Sequence, residues 1–173
     1  MKRFLFLMTL LLTMLYGRAA TEVTFDFAAN EWKHPLGTAL DSDPGNLDEL
    51  TKDDVLVVFK QAKHKDYPPR YWTGPQVRAY TNNIIRVVAP TGKAITKIEF
   101  TAAGTNYFGL TAAGGTLEGT TWTGNAVYAK FTPTKTNRLT KMVVTLDDAN
   151  AETDKTGDAD EEVFLDFNDP TIH

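Results

Sequence analysis

The chain has no cysteine, a single serine and three histidines among its 173 residues. Without cysteine there is no disulfide framework, no thiol nucleophile, no thiolate-ligated zinc or iron–sulfur site, and no cysteine to carry a lipid. The one serine lies in Asp41-Ser42-Asp43-Pro44-Gly45, between acids, and no Gly-x-Ser-x-Gly elbow occurs. A serine-hydrolase triad therefore has no suitable nucleophile. His34, His64 and His173 lack the i, i+4 spacing of helical zinc ligands. A helical apolar stripe is missing too. The only helical hint after the first twenty residues is Leu47–Lys52, one turn at most entering a strand. Hydrophobic residues still make up 42% of the chain. That is enough for a packed core, so wholesale disorder is excluded.

The start of the chain reads as an address. Lys2 and Arg3 precede a 13-residue run of apolar character, Phe4 to Tyr16, and Gly17-Arg18-Ala19 places small residues around a cleavage point. This is the pattern of a secretory signal peptide over 1–19, with the mature chain starting at Ala20. As a helix the run would reach only ~20 Å, short of a ~30 Å hydrocarbon core. No later stretch is apolar enough to span a membrane. Signal removal takes away Lys2, Arg3 and Arg18, so 15 bases face 22 acids, net −7. Ten of those acids lie between Asp147 and His173, against Lys155 alone. The body from Ala20 to Leu146 then has 12 acids and 14 bases. A near-neutral body argues against nucleic acid as the partner.

What is present is alternation. Val23, Phe25 and Phe27 take turns with Thr24 and Asp26. Val55, Val57 and Phe59 do the same, as do Ile98 and Phe100, Val127, Ala129 and Phe131, and Met142, Val144 and Leu146. Shorter β-rich runs lie at Val77–Thr81 and Ile84–Val88. Period two puts one set on a core face and the other outward. Threonine, β-branched and suited to a pleated surface, occurs 25 times. Pro and Gly punctuate the runs at Asp43-Pro44-Gly45, Pro68-Pro69, Gly74-Pro75, Pro90-Thr91-Gly92 and Gly114-Gly115. Such spacing predicts an all-β fold, an antiparallel β-sandwich or a barrel, over 20–148. The remainder, 149–173, reads as an acidic flexible tail. Within it Glu162-Val163-Phe164-Leu165-Asp166-Phe167 echoes Glu22–Phe27, with four of six residues identical. This is either a final strand of matching composition or the opening strand of a second module.

Several phrases occur together in order. They are Val23-Thr24-Phe25-Asp26-Phe27, Pro69-Arg70-Tyr71-Trp72, Val77-Arg78-Ala79-Tyr80 with Asn82-Asn83, Gly92 to Phe100, Trp122-Thr123-Gly124-Asn125-Ala126, and Arg138 to Val144. As a set they resemble the secreted, Thr-rich β-sandwich modules of Bacteroidetes surface and exported proteins, over roughly Glu22 to Leu146. The resemblance implies an extracellular sandwich of jelly-roll type. It implies no settled activity, since most such modules carry none.

Candidate chemistry is sparse. Asp26, Glu99 and Glu118 are the acids within strands that a glycosidase pair would need, but a body this small predicts no deep cleft. The Asp41 to Glu49 loop has the hard oxygen donors that Ca²⁺ takes, without EF-hand spacing. An acidic surface loop with Asx-turns accounts for it equally well, and no metal or cofactor is assigned. The best binding surface starts at Tyr67-Pro68-Pro69. There Arg70, Tyr71, Trp72, Arg78 and Tyr80 combine aromatic platforms with polar arms, as sugar binding requires. The plainer alternative makes Trp72 a core ring, with the arginines stacked on loops; Trp32 and Trp122 are expected in the core. The expectation is an exported, non-catalytic module, secreted or on the cell surface, with the periplasm as the other compartment. Its partner is a glycan or, alternatively, a surface protein.

Overall fold

Why this chain forms sheets follows from its alternation: each short run has one apolar face that a neighbouring run must cover. The computed structural model describes residues 20–37, 44–61 and 67–149. The expected signal peptide, Asp41 to Asp43 with Ser42, His64, His173, Val163 to Phe167 and the rest of the acidic tail beyond 149 lie outside the described residues. Two antiparallel sheets pack as a β-sandwich. The strands are β1 (Thr21–Asp26), β2 (Glu49–Lys52), β3 (Val55–Lys60), β4 (Arg70–Trp72), β5 (Gln76–Ala79), β6 (Ile84–Val88), β7 (Lys93–Ala102), β8 (Leu110–Ala113), β9 (Thr116–Glu118), β10 (Thr121–Ala126), β11 (Tyr128–Pro133) and β12 (Asn137–Asp148). A 3-10 turn, Thr105–Tyr107, separates β7 from β8. The larger sheet runs β4-β5-β12-β7-β10-β9, with β1 also on β12; the smaller runs β2-β3-β6-β11-β8.

The alternating apolar sets fill the space between the sheets. Val23, Phe25, Phe27, Val55, Val57, Phe59, Ile98, Phe100, Ala129, Phe131, Met142, Val144 and Leu146 are all buried. Val127 departs from the expectation. It falls in a bend between β10 and β11 and is only half-buried, because the chain changes sheets there. The helical hint at Leu47–Lys52 is also corrected. Leu47 donates to the Pro69 carbonyl at 2.9 Å, and Glu49–Lys52 pairs with β3. The turn that follows, Asp53-Asp54, has positive φ at both residues, the two-residue primed hairpin geometry that draws Lys52 and Val55 into register.

Two pairs of core residues violate strict alternation. Ile95 and Ile98 both point inward although they are three apart, and so do Leu139 and Met142. Bulges resolve this. The β12–β7 register slips between Leu139 and Lys141 and again between Thr145 and Leu146. An extra residue, Thr140 on β12 and Thr96 on β7, resets the parity. Each bulged threonine turns its hydroxyl onto the partner strand: Thr140 Oγ1 donates to Thr101 O at 3.2 Å and Thr96 Oγ1 to Thr145 O at 3.3 Å.

Trp122 is core, as expected, and its slot is specific. Its Nε1 donates to the Gly114 carbonyl at 3.0 Å, and its ring meets Phe131 edge-on at 6.2 Å. A Cβ on Gly115, whose φ is +64°, would strike the indole; so would one on Gly124. Trp32 packs against the core with its ring stacked on Phe25 at 5.6 Å.

Three substitutions test this packing by thermal unfolding. Phe100→Ala is expected to cost ~3–5 kcal/mol, while Thr101→Ala, on the exposed face, costs under ~0.5 kcal/mol. Gly115→Ala combines a left-handed backbone with a clash at Trp122 and should cost about 2–4 kcal/mol. Equal melting shifts for Phe100→Ala and Thr101→Ala would refute the face assignment.

Candidate functional site

The β4–β5 hairpin forms one end of the larger sheet. Pro68-Pro69 keeps the approach extended, and Thr73-Gly74-Pro75 turns it so that Trp72 opposes Gln76 and Arg70 opposes Arg78. The free edge of β4 is covered. Gly37 N donates to Tyr71 O and Tyr71 N to Gly45 O, both at 2.8 Å. Gly45 is required there, because a Cβ would run into the Gly37 backbone and the Tyr71 carbonyl.

Alternation divides the expected site residues. Tyr71 faces the core and is 0% exposed, packed edge-on to Phe27 at 6.4 Å and stacked with His34 at 5.5 Å. It is therefore removed from the ligand-contact set: a residue between two outward neighbours on a strand must point inward. Burial, with smaller contributions from Glu31 and Asp26, pushes its phenol far above the usual range. Its hydroxyl has no hydrogen-bond partner among the described residues. Arg70 is on the outer face yet also 0% exposed. Its Nε donates to the Pro68 carbonyl at 3.3 Å, and its guanidinium lies 5.8 Å from the Trp72 ring and 5.6 Å from Tyr80. Arg70 thus supports the surface from beneath and is likewise corrected as a direct contact.

Trp72, Arg78 and Tyr80 are half-buried and outward. The Arg78 guanidinium covers the Trp72 ring at 4.2 Å. Arg138 of β12 is the cross-strand partner of Arg78, so Arg70, Arg78 and Arg138 stand side by side on three strands. Arg138 covers Tyr107 at 3.7 Å. Burial, then the Arg138 charge, lowers the Arg78 guanidinium below its ordinary range, with Arg70 adding a little; attraction to the Tyr80 hydroxyl works against them.

Two buried asparagines fix the rings at the ends of this row. Asn83 accepts from Tyr80 N at 2.7 Å and donates to Tyr67 O at 3.2 Å, and the two tyrosine rings sit 5.0 Å apart. Asn137, 0% exposed, accepts from Gly109 N and donates to Gly109 O and Lys135 O. That ties down the segment carrying Tyr107. Tyr67 is 41% and Tyr107 36% exposed, and Leu36, beside the Gly37 that bridges to Trp72, is 37% exposed. All the large exposed apolar side chains among the described residues therefore border this one face. Arg138 and Tyr107 were not legible as site residues from sequence. They are distant from the hairpin in the chain, and only the β5–β12 register brings them in.

The other candidates lie off this hairpin, where Glu99 and Glu118 flank Thr121 from the two neighbouring strands. Glu99 is paired with Lys97 at 2.8 Å, and Asp26 Oδ1 accepts from Ala29 N at 2.9 Å. Among the described residues no group of His, Asp and Glu could hold a metal ion, and no helix is long and apolar enough to cross a membrane. No protein-family model matches the chain, and neither does any curated protein or solved structure compared with it.

Two further substitutions follow. Tyr71→Phe removes an unpaired buried hydroxyl and should leave stability unchanged or raise it by up to about 1 kcal/mol. A clear drop in melting temperature would mean that the hydroxyl is bonded. Asn137→Ala leaves Gly109 N and Lys135 O unmatched, while Gly109 O keeps its bond from Thr134 N, and should cost about 2–3 kcal/mol by denaturant unfolding.

Proposed function

We propose that the chain is an exported carbohydrate-binding β-sandwich module, acting by binding rather than by catalysis, with the outer face of β4, β5 and the start of β12 as its binding surface. The observation that carries this reading is the gathering of exposed Tyr67 and Tyr107 around half-buried Trp72, Arg78 and Arg138 on one face. Flat rings cover the C–H patches of sugars, and guanidinium groups in fixed positions take their oxygens. The surface is an open sheet, which suits lying along a chain of sugars rather than enclosing one. The signal-like leader agrees with an extracellular role.

A second reading, an adhesion module contacting a surface protein, has its own support. On the outer face of the smaller sheet half-buried Leu56 and Tyr128 both pair with Val88, and the Arg86 guanidinium lies over the Tyr128 ring at 4.1 Å, giving a small mixed patch. A protein partner would use such a patch more readily than a sugar would.

Glycan-array binding of the purified protein separates the two. Trp72→Ala is expected to abolish retention on the array while costing only about 1–2 kcal/mol of stability, since the ring is half-buried and its main partners are cations. Binding of the variant equal to that of the wild type would remove this face from the function. Loss on Leu56→Asp instead would favour the protein-contact reading.

A further inference from the structure

We infer that the glycan taken by this face is acidic, a linear chain carrying carboxylates, read by Arg78 and Arg138. This rests on the carbohydrate-binding reading and narrows it to one charge class. The first support is the distribution of charge. Residues 67 to 146 contain nine bases and only two acids, Glu99 and Glu118, net +7, whereas residues 21 to 66 contain ten acids and five bases. The near-neutral body is thus an average over two opposite halves.

The second support is how those bases are used. Lys93 is paired with Asp148 and Lys97 with Glu99, each at 2.8 Å. Arg78 and Arg138 have no carboxylate partner among the described residues, and the Nε of each is buried without an acceptor. Like charges directly opposite on neighbouring strands are destabilising, so a protein with acids to spare would gain from placing one here. Instead each guanidinium lies on a ring, Trp72 or Tyr107. Stacking occupies the face of the guanidinium, Nε is buried, and Arg78 is hydrogen-bonded to the Tyr80 side chain, so the terminal N–H groups are the donors left for a planar acceptor met end-on. A carboxylate presents two oxygens in that plane.

The third support is spacing. Arg78 and Arg138 are directly paired across β5 and β12, so their backbones are ~4.5–5.5 Å apart. Their guanidiniums rest on different rings, Trp72 and Tyr107, so the pair presents two separate positive heads that one chain bearing repeated carboxylates can meet together. A single-stranded nucleic acid would instead need an open series of stacking platforms. Here the exposed tyrosines, Tyr67 and Tyr107, lie at opposite ends of the row and form no such series.

Affinity electrophoresis of the purified protein tests this in gels containing polygalacturonate, its fully methyl-esterified form, dextran sulfate or poly-dT. Retardation by polygalacturonate is expected to exceed that by the ester about tenfold or more, and to weaken several-fold between low and physiological salt. Arg78→Gln/Arg138→Gln should lose it, and Arg138→Lys, which keeps the charge without the fork, should recover only part. Lys93→Gln/Lys97→Gln, at the far end of the strands, should retain it. Unchanged circular dichroism of each variant shows that the fold persists. Equal retardation by ester and acid, lost in Trp72→Ala but not in the double arginine variant, overturns the acidic assignment and leaves the glycan reading standing. Retention by dextran sulfate alone overturns the carboxylate. Retention by poly-dT alone, or by none of the polymers, overturns both.

Discussion

β12 is hydrogen-bonded along both edges, and the shape of the larger sheet depends on how its register is divided. On one side it pairs with β7 over most of its length. On the other, its first residues pair with β5 and its later ones with β1, so two short strands share an edge end to end. Slipping this register by one residue would turn Met142, Val144 and Leu146 out of the core. It would also separate Arg138 from Arg78. One set of backbone bonds therefore determines both the interior and the candidate binding face.

The same strand shows how irregularity serves the packing. Without the extra residue at Thr140, Leu139 and Met142 could not both face inward, and Arg138 would lose its place beside Arg78. The threonine hydroxyl keeps a bond to the neighbouring carbonyl where the ladder is disturbed. Just ahead, Asn137 stays in the β5 ladder while its buried side chain bonds to Gly109 and holds the Tyr107 segment against the sheet.

The outer face near β4 and β5 is less favourable for folding than it needed to be. Three arginines in register repel one another, and Arg70 is wholly covered. Each cation–ring contact returns only about 0.5–2 kcal/mol, depending on how dry it is. Pairing Arg78 and Arg138 with acids would abolish their positive field. Retaining these two cations beside exposed rings, with buried asparagines as supports, is what a binding surface asks for, at some cost to stability.

Alternation alone determined which residues of Val23–Phe27, Val55–Phe59 and Met142–Leu146 face the core, because the side-chain period of a strand is two wherever one face meets a core; it did not show that Val58 and Thr145, on the opposite face, are covered as well. It also implies that Tyr71 must point opposite to Arg70 and Trp72. The absence of cysteine, of a serine elbow and of spaced histidines was equally plain in the sequence, since chemistry depends on residue type before geometry. Pairing was not legible. Which strand lies beside which depends on contacts between residues far apart in the chain, and a bulge changes parity without leaving a local signature. Glu49–Lys52 becomes a strand because β3 is there to pair with it, and Val127 leaves the core because the chain crosses between sheets at that point. The candidate face divides in the same way: the hairpin from Arg70 to Arg78 was visible as a segment, whereas Arg138 and Tyr107 joined it only when tertiary hydrogen bonding placed β12 beside β5.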